Sequence, residues 1–171
     1  NIPDFETALI YPGACFFEGT TASEGRGTQH PFILLGAPWA DGAALAADLN
    51  SRTLPGLTFE AATYTPESLP GMSPRPKHLG EALQGIRYVV TDARAVRPVE
   101  AGIHVLHAFY SQANEAQRAE FFRENVMNRL AGTTRLVEML KAGDTAEEII
   151  ASWQDELQAY DTMRRKHFLY S

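Results

Sequence analysis

The 171-residue sequence has little cysteine, a deficit of positive charge and no long apolar run. Because Cys15 is the one cysteine, an internal disulfide cannot form and a tetrahedral zinc–thiolate site is excluded. The formal net charge of −6 argues against nucleic acid or an anionic membrane surface as the partner, since both require a basic face. No apolar run approaches the ~20 residues that a membrane-spanning helix needs.

No signal peptide is visible at the start of the sequence, which opens at Asn1 without a Met. A mature form, a processed fragment or an excised domain would begin in this way, and we expect a fragment. The length predicts a single compact domain spanning residues 1–171, with the 44% hydrophobic and 21% charged residues of an ordinary globular protein. No repeat, low-complexity segment or composition break marks a second domain.

The apolar pattern predicts strands in the first half of the chain and helices in the second. Apolar and β-branched runs predict strands at residues 32–35, 57–64 and 86–91. Helical spacing predicts helices at residues 4–11, 41–49, 99–111, 119–130 and 134–141, and a last helix beyond residue 144. The order favours a mixed α/β (α+β) fold, a small sheet covered by helices with a helical C-terminal half.

Local signals set several of these boundaries. Asp4 is the expected N-cap of the first helix, and Pro12-Gly13 is expected to stop it. Residues 66–80 hold four prolines and are expected to form a long irregular excursion on the surface.

Asp144-Thr145 and Glu148 predict the start of the last helix, because their spacing is typical of a capping box. An apolar stripe at helical spacing predicts that one face of this helix is buried in the core. The stripe comprises Ile149, Ile150, Trp153, Leu157 and Tyr160.

The densest chemical content of the sequence lies between residues 18 and 30. This segment holds the acids Glu18 and Glu24, the guanidinium of Arg26 and the imidazole of His30. Its hydroxyl groups belong to Thr20, Thr21, Ser23 and Thr28, and its glycines are Gly19, Gly25 and Gly27. Glycine permits positive φ angles and a close approach of the backbone to a ligand.

Three interpretations of this segment compete. A phosphate loop needs G-x-x-x-x-G-K-[ST], but Gly19 and Gly25 enclose five residues and Arg26 stands in place of the lysine, which argues against a nucleotide site. A carbohydrate site would use Glu18, Glu24 or both as the carboxyl groups of glycoside hydrolysis, with Arg26 and the hydroxyls binding the sugar. A purely structural segment would pair either acid with Arg26.

Ordered motifs continue along the chain from the same segment. They are Tyr11-Pro-Gly-Ala-Cys-Phe-Phe-Glu-Gly-Thr20, Ser23-Glu-Gly-Arg-Gly-Thr28, Pro31-Phe32, Gly36-Ala-Pro-Trp39, Leu49-Asn50, Leu54-Pro-Gly-Leu-Thr-Phe59, Lys77-His78, Gly85, Val90-Thr-Asp92, Arg164 and Phe168-Leu-Tyr170. Together they resemble the NamZ-like exo-β-N-acetylmuramidases, a bacterial family that was long a domain of unknown function. The resemblance covers essentially the whole chain.

The resemblance implies a cell-wall hydrolase that removes terminal N-acetylmuramic acid from the non-reducing end of peptidoglycan fragments. It implies an N-terminal Rossmann-like domain and a C-terminal α/β domain, with the active site in the cleft between them. Because this chain resembles the C-terminal half, we expect the N-terminal domain as its partner and an incomplete glycosidase without it. No metal or other cofactor is implied. The substrate points to a periplasmic or secreted location and leaves a cytoplasmic one open.

The predicted catalytic carboxylates are Glu18 and, as second choice, Glu24. The predicted substrate-binding residues are Thr20, Ser23, Arg26, Thr28, Trp39, His78 and Asp92. Trp39 would stack on a sugar ring or pack in the core, and His78 would lie at the rim of the cleft or on plain surface. Asp92 ends a strand, where α/β proteins place ligand-facing groups, but it could equally cap the next turn.

Two departures from the family pattern bear on substrate preference. Thr21 stands where the family usually has Asn, and Arg87-Tyr88 stands where Gln and His are common. The missing half is expected to supply at least one essential group. The alternative function is a non-catalytic carbohydrate-binding or partner-docking module.

Histidine and cysteine offer weaker candidates. His104 and His107 share a face of a predicted helix, but no carboxylate at a suitable spacing completes a metal site with them. Cys15 is expected to be a small buried side chain, since a catalytic thiol would need a nearby base and His30 is the one candidate.

Overall fold

A computed structural model of the chain describes residues 2–169. Its elements are α1 (Phe5–Ala14), a 3₁₀ helix (Cys15–Gly19), β1 (Leu34–Ala37), α2 (Gly42–Ser51), β2 (Leu57–Tyr64), β3 (Leu83–Val90), α3 (Pro98–Gln112), α4 (Glu115–Glu120), α5 (Glu124–Ala131), α6 (Arg135–Ala142), α7 (Ala146–Ala151) and α8 (Gln154–Arg165). This order confirms the mixed α/β fold class, with strands early and helices late. Among the described residues, no helix combines the length and apolarity needed to cross a bilayer.

The sheet has three antiparallel strands in the order β1-β3-β2. The long β2–β3 pair runs from Leu57 opposite Val90 to Tyr64 opposite Leu83, while the short β1 pairs with the first half of β3. Residues 65–82, which connect β2 and β3, form turns and one isolated bridge, so the predicted irregular excursion is confirmed.

Helices cover the sheet and form most of the core. Helix α2 packs on β2 and β3, and the side chain of Asn50 at its end makes two hydrogen bonds with the backbone of Phe59, at 2.8 and 2.9 Å. Helix α3 packs against α1, α2 and α7, and its buried residues join those of the sheet in one apolar cluster. The core therefore lies between the sheet and α3.

The contact between α1 and α3 is unusually close. A Cβ atom on Gly13 would lie 1.9 Å from the carbonyl oxygen of Pro98, and one on Gly102 would lie 2.5 Å from the Cα atom of Gly13. Only glycine fits at such a backbone approach. The contact fixes the end of α1, and with it the start of the 3₁₀ helix that carries Glu18.

The N-terminal predictions are partly right. Asp4 caps α1 as predicted, accepting a hydrogen bond from the backbone N–H of Thr7 at 2.8 Å. The prediction that Pro12 stops this helix is wrong, since α1 continues to Ala14. Proline removes one helical hydrogen bond, and its partner carbonyl would belong to Ala8, an exposed residue whose oxygen water can satisfy.

The first strand is displaced by two residues from the predicted 32–35. Phe32 has a φ of +67°, which is outside the extended region, so the strand begins at Leu34. The strand predicted at 57–64 is confirmed by β2, and that predicted at 86–91 lies largely within β3.

The helix predicted at 119–130 is instead two helices, α4 and α5. Between them, the carbonyl oxygen of Phe121 accepts from the N–H of Thr21 at 2.8 Å, and the N–H of Arg123 donates to the carbonyl oxygen of Gly19 at 2.8 Å. A bridge between Thr20 and Phe122 completes the pairing. The backbone of residues 121–123 thus bonds to residues 19–21 of the segment 18–30 and cannot remain helical.

The last predicted helix is also divided, into α7 and α8. Thr145 and Glu148 form the predicted capping box at the start of α7, and Ile149 is buried. The prediction that the whole stripe lies in the core is wrong, because Leu157 and Tyr160 on α8 are 53% and 55% exposed. The helix breaks where Arg135 Nη1 donates to the carbonyl oxygen of Ser152 at 2.9 Å.

Candidate functional site

The 3₁₀ helix positions Glu18 by burying the two aromatic residues that precede it. Phe16 and Phe17 are buried, and the Phe17 ring meets the ring of Phe109 on α3 edge to face at 5.1 Å. The hydroxyl of Thr20 donates to the carbonyl oxygen of Phe17 at 2.9 Å and ends the turn. Glu18 therefore projects from a backbone that is anchored in the core on both sides.

The segment that follows is bonded to the edge of the sheet. The N–H of Ser23 donates to the carbonyl oxygen of Gly36 in β1 at 2.7 Å, and the reverse bond measures 3.1 Å. Gly25 then takes a φ of +74°, and a Cβ atom there would lie 2.4 Å from the carbonyl oxygen of Leu34. Glycine permits this conformation, which turns the chain so that Arg26 points back towards Glu18.

A chain of ion pairs connects the charged side chains of the segment. Arg26 Nη2 donates to Glu18 Oε1 at 2.6 Å, and Arg26 Nε lies 3.5 Å from Glu24 Oε1. Lys77 Nζ lies 2.8 Å from Glu24 Oε2. The Glu18 and Arg26 side chains are 25% and 28% exposed, whereas that of Glu24 is 6% exposed. Glu18 and Arg26 form the accessible end of the ion-pair chain, and Glu24 forms its buried middle.

Lys77 joins the irregular excursion to the segment. Besides Glu24, its ammonium group donates to the carbonyl oxygens of Phe17 at 2.7 Å and Ala22 at 3.0 Å. Burial lowers the pKa of Lys77 from its usual value, and the neighbouring Glu24 carboxylate opposes this shift. Lys77 is thus held by one ion pair with Glu24 and by two hydrogen bonds to backbone carbonyl groups.

His78 makes a second cross-link from the same excursion. Its Nε2 lies 2.8 Å from the carbonyl oxygen of Thr21, so Nε2 carries the hydrogen of this bond, since a carbonyl can only accept. Its Nδ1 lies 3.0 Å from Glu81 Oε2. The φ of His78 is +54°, a region that non-glycine residues seldom adopt, so the backbone here is strained to place the ring.

An aromatic wall lies behind the Arg26 guanidinium. Arg26 Cζ lies 4.9 Å from the centroid of the Phe32 ring, which meets the Tyr11 ring edge to face at 4.8 Å. The positive φ of Phe32 places its ring there. Stacking on an aromatic face holds a guanidinium plane while leaving its edge available to a carboxylate.

Cys15 lies beside this cluster. Burial, followed by the nearby Glu18 carboxylate, raises the pKa of its thiol to about 11. The thiol donates to the carbonyl oxygen of Pro12 at 3.4 Å. A thiol of this kind stays protonated at neutral pH, which agrees with the non-catalytic interpretation of Cys15.

The predicted hydroxyl ligands bond within the segment itself. Thr20 and Ser23 are buried, and the Ser23 hydroxyl accepts from the N–H of Gly25 at 3.1 Å. The Thr28 hydroxyl donates to the carbonyl oxygen of Gly25 at 2.7 Å and accepts from the N–H of His30 at 3.0 Å. Their roles in sugar binding stay predictions, and such roles would require these bonds to be shared or exchanged.

Two predicted residues lie apart from the ion-pair chain. Trp39 is half-buried, and its ring packs on those of Phe109 and Phe121 at 6.4 and 6.3 Å. Asp92 is exposed beyond the far end of β3, where its carboxylate accepts from the N–H of Arg94 at 3.0 Å. These contacts are those of a core aromatic residue and of a turn cap, and the two binding roles stay predictions.

The histidines of α3 lie on another side of the molecule. His104 Nδ1 is 3.4 Å from Arg52 Nη1 and 3.8 Å from Glu147 Oε1. Burial lowers the pKa of His104 and also that of His107. Within residues 2–169, no group of three histidine, cysteine or acidic side chains is arranged to hold a metal ion.

Sequence reasoning missed the parts played by Lys77 and Phe32. Both appeared only as members of motifs, and neither was assigned a contact. A lysine directly before a histidine in a proline-rich excursion was the available signal, but its partner Glu24 is distant in sequence. A positive φ at a phenylalanine carries no local sequence signal.

Comparison with protein families identifies a match over residues 9–170, described as exo-β-N-acetylmuramidase NamZ, C-terminal. The peptidoglycan β-N-acetylmuramidase NamZ of Bacillus subtilis (strain 168) is 35% identical over 170 residues. That alignment covers 99% of this chain and 39% of the Bacillus protein.

Two solved structures from Bacteroides fragilis, both DUF1343 family proteins, have similar folds. One has a TM-score of 0.86 at 21% identity and the other a TM-score of 0.71 at 26% identity. Each alignment covers 99% of this chain but only 44% and 42% of the respective Bacteroides chain. The chain thus spans less than half the length of these relatives.

Proposed function

The chain belongs to the family of the C-terminal domain of the exo-β-N-acetylmuramidase NamZ, and from this premise we propose that it forms the C-terminal half of a glycosidase acting on peptidoglycan. The proposed reaction is the release of terminal N-acetylmuramic acid from the non-reducing end of peptidoglycan fragments. The similarity to a peptidoglycan β-N-acetylmuramidase supports this substrate class. A periplasmic or secreted location would suit such a substrate.

The observation that carries the proposal is the accessible carboxylate of Glu18 on a rigidly held turn. Glycoside hydrolysis requires carboxyl groups that reach the glycosidic bond. Glu18 is 25% exposed and its turn is anchored by buried Phe17, whereas Glu24 is 6% exposed and lies between two cations. We therefore assign the chemistry to Glu18 and a positioning role to Glu24.

Arg26 is the proposed recognition group for the sugar. N-acetylmuramic acid differs from N-acetylglucosamine by a lactyl ether that ends in a carboxylate. The Arg26 guanidinium is 28% exposed and lies over the Phe32 ring, so its remaining N–H groups can donate to the carboxylate of the sugar. The Glu18 carboxylate occupies one of its donors at 2.6 Å.

The second carboxyl group of the reaction is assigned to the N-terminal Rossmann-like domain. With Glu24 buried in ion pairs, this chain offers one accessible carboxylate in the segment. Hydrolysis needs an acid and a base or nucleophile on opposite sides of the bond. A cleft between two domains would bring the second group opposite Glu18 and exclude bulk solvent, while admitting the one water molecule that hydrolysis consumes.

Replacement of Glu18 by Gln in the two-domain form tests this assignment. We expect turnover of a chromogenic N-acetylmuramide to fall by about 10²- to 10⁴-fold, the range for loss of a catalytic acid or base. The exposed Glu67, whose backbone N–H donates to the carbonyl oxygen of Gly27 at 2.8 Å, provides the matched control, and Glu67→Gln should keep normal turnover. Near-normal turnover in a folded Glu18→Gln variant would remove Glu18 from the chemistry.

A non-catalytic binding or docking module is the second candidate. The observation that favours it is the internal bonding of the segment, in which the Thr20 and Thr28 hydroxyls and Glu24 already have partners within the chain. Titration calorimetry with muramyl saccharides, run beside a hydrolysis assay, separates the two. Binding without hydrolysis, also in the two-domain form, would favour the module.

A further inference from the structure

Helix α8 carries an apolar face that no described part of the chain covers. Leu157, Tyr160 and Met163 are 53%, 55% and 49% exposed and follow one another at intervals of three residues. At 100° per residue, this spacing places all three within one side of the helix, together with Trp153 at its base. None of the twelve residues of α8 is buried.

A helix of this kind is not stable by itself. Isolated helices shorter than about 12–15 residues are marginal in water, and most helices in proteins are held by burial of an amphipathic face. The links between α8 and the body lie at its first turn, where Arg135 Nη2 pairs with Glu156 Oε1 at 2.9 Å. The remaining turns extend into solvent with their apolar face open.

The base of the helix adds concave surface, mixed in the larger groove, which Arg135 and Glu156 also line, and mainly apolar in the smaller one. Grooves of about 240 and 110 Å³ flank the half-buried Trp153 ring. Leu136 and Ala131 line both grooves, and the smaller one continues to Phe16 and Val99. Together with the face of α8, the smaller groove forms an apolar strip running from the 3₁₀ helix out along α8.

We propose that the apolar face of α8 is the docking surface for the N-terminal domain of the same family. The relatives contain more than twice the length of this chain, and the matched family is by its description the C-terminal part. A second domain is therefore the partner that accompanies this fold in its relatives. Interfaces between domains of one polypeptide can be modest in area, because the linker keeps the local concentration high.

A second copy of this chain fits the surface less well. The three half-exposed side chains offer on the order of 300 Å² per copy, given about 150–250 Å² for a large side chain. Pairing of two such faces would bury about 600 Å², below the roughly 1,000 Å² of a specific interface. Self-association through α8 alone would therefore be weak.

Most of the charged groups on α8 that could affect this face are already paired. Asp161 pairs with Arg164 Nη2 and with Arg165 Nε at 2.6 Å each, and these two guanidinium groups lower the pKa of the Asp161 carboxyl. Asp161 and these two arginines therefore already have oppositely charged partners on the same helix. At 100° per residue, Glu156 and Arg164 fall within the arc from Leu157 to Met163, so the partner meets an apolar face that also carries one paired carboxylate and one paired guanidinium.

Alanine variants on opposite sides of α8 test the proposal. Leu157→Ala with Tyr160→Ala removes the face, and Gln158→Ala with Thr162→Ala truncates the opposite side as the matched control. Alanine is the best helix former, so neither variant weakens the helix through its own propensity. In the two-domain form, the equilibrium constant for undocking of the N-terminal domain, measured by energy transfer between labels on the two domains, should rise about tenfold or more in the face variant. It should change less than about twofold in the control.

Hydrogen exchange in the two-domain form provides the second measurement. Residues 154–165 should exchange slowly in the parent protein and at nearly unprotected rates in the face variant. Unprotected exchange in the parent, or equal weakening by both variants, would overturn the proposal. So would a concentration-dependent dimer of this chain that the face variant abolishes, because it would assign the surface to a second copy. Docking is measured without hydrolysis, so an inactive but docked protein would contradict only the proposed function.

Discussion

The segment 18–30 and helix α8 differ in how far the chain satisfies their side chains. In the segment, Glu24 is held by Lys77 and Arg26, and the backbone of Ser23 bonds to Gly36 in β1. In α8, the apolar face formed by Leu157 and its neighbours has no described partner. A reacting group must be held within a fraction of an ångström, which requires support from its own domain. A docking face needs only to be exposed at the surface, because the partner buries its apolar side chains.

The largest effect that separates the two regions is expected from Lys77→Met. This change leaves the buried Glu24 carboxylate with the longer Arg26 contact only, and loss of one partner of a buried ion pair costs several kcal/mol. We expect a loss of about 3 kcal/mol in the free energy of unfolding, measured by urea denaturation.

Lys141→Met is the matched control for this prediction. Lys141 pairs with Glu124 on the surface, with both side chains about half exposed, and such pairs contribute about 0–1 kcal/mol. Adding Glu24→Gln to Lys77→Met should recover part of the lost stability, since it removes the stranded charge. Equal losses for Lys77→Met and Lys141→Met would mean that the segment is held by its backbone alone.

The sequence predicted the parts of the fold that local signals determine. The Asp4 cap and the capping box at Thr145 depend on residues within three positions of one another, and the strand at 57–64 depends on one continuous run of eight residues; all three are confirmed. The apolar stripe beyond residue 149 has the same period whether its face meets a core or a missing partner. Periodicity alone therefore could not show that Leu157 is exposed.

The candidate site was predictable in composition but not in arrangement. The three charged residues of the segment were identified, and their mutual pairing was one of the interpretations left open. The buried position of Glu24 depends on Lys77, which the long excursion brings back to the segment. No spacing rule relates two residues on separate irregular segments, because their meeting is decided by tertiary packing.

A smaller effect is expected from acidification, through His104 at the contact between α3 and α7, the helix that precedes α8. Burial lowers its pKa below the usual 6.5, opposed by Glu147 and reinforced by Arg52, with further influence from His107 and Glu100. The unfolded chain takes up a proton near pH 6.5, whereas the folded ring stays neutral. The contribution of His104 to the free energy of unfolding is therefore fully present above pH 6.5 and decreases as the pH falls below this value.

The dependence on His104 can be measured by urea denaturation between pH 7 and pH 5. His104→Gln should flatten the decline in unfolding free energy, leaving the part that His107 contributes. His167→Gln, at an exposed position, should keep the parent slope. A His104→Gln variant with an unchanged slope would show that the acid sensitivity arises elsewhere.

The smallest effect is expected from Leu157→Ala in this chain alone. The side chain is 53% exposed and has no described core contact, so its removal should change the free energy of unfolding by less than about 0.5 kcal/mol. Leu140→Ala is the matched control, since Leu140 is 2% exposed and its truncation should cost about 2–5 kcal/mol. In the two-domain form, the cost of Leu157→Ala should rise because the partner now buries the side chain. If that cost stays negligible in both forms, α8 is an unpartnered helix, and the contrast between the self-supported segment and the partner-dependent helix is lost.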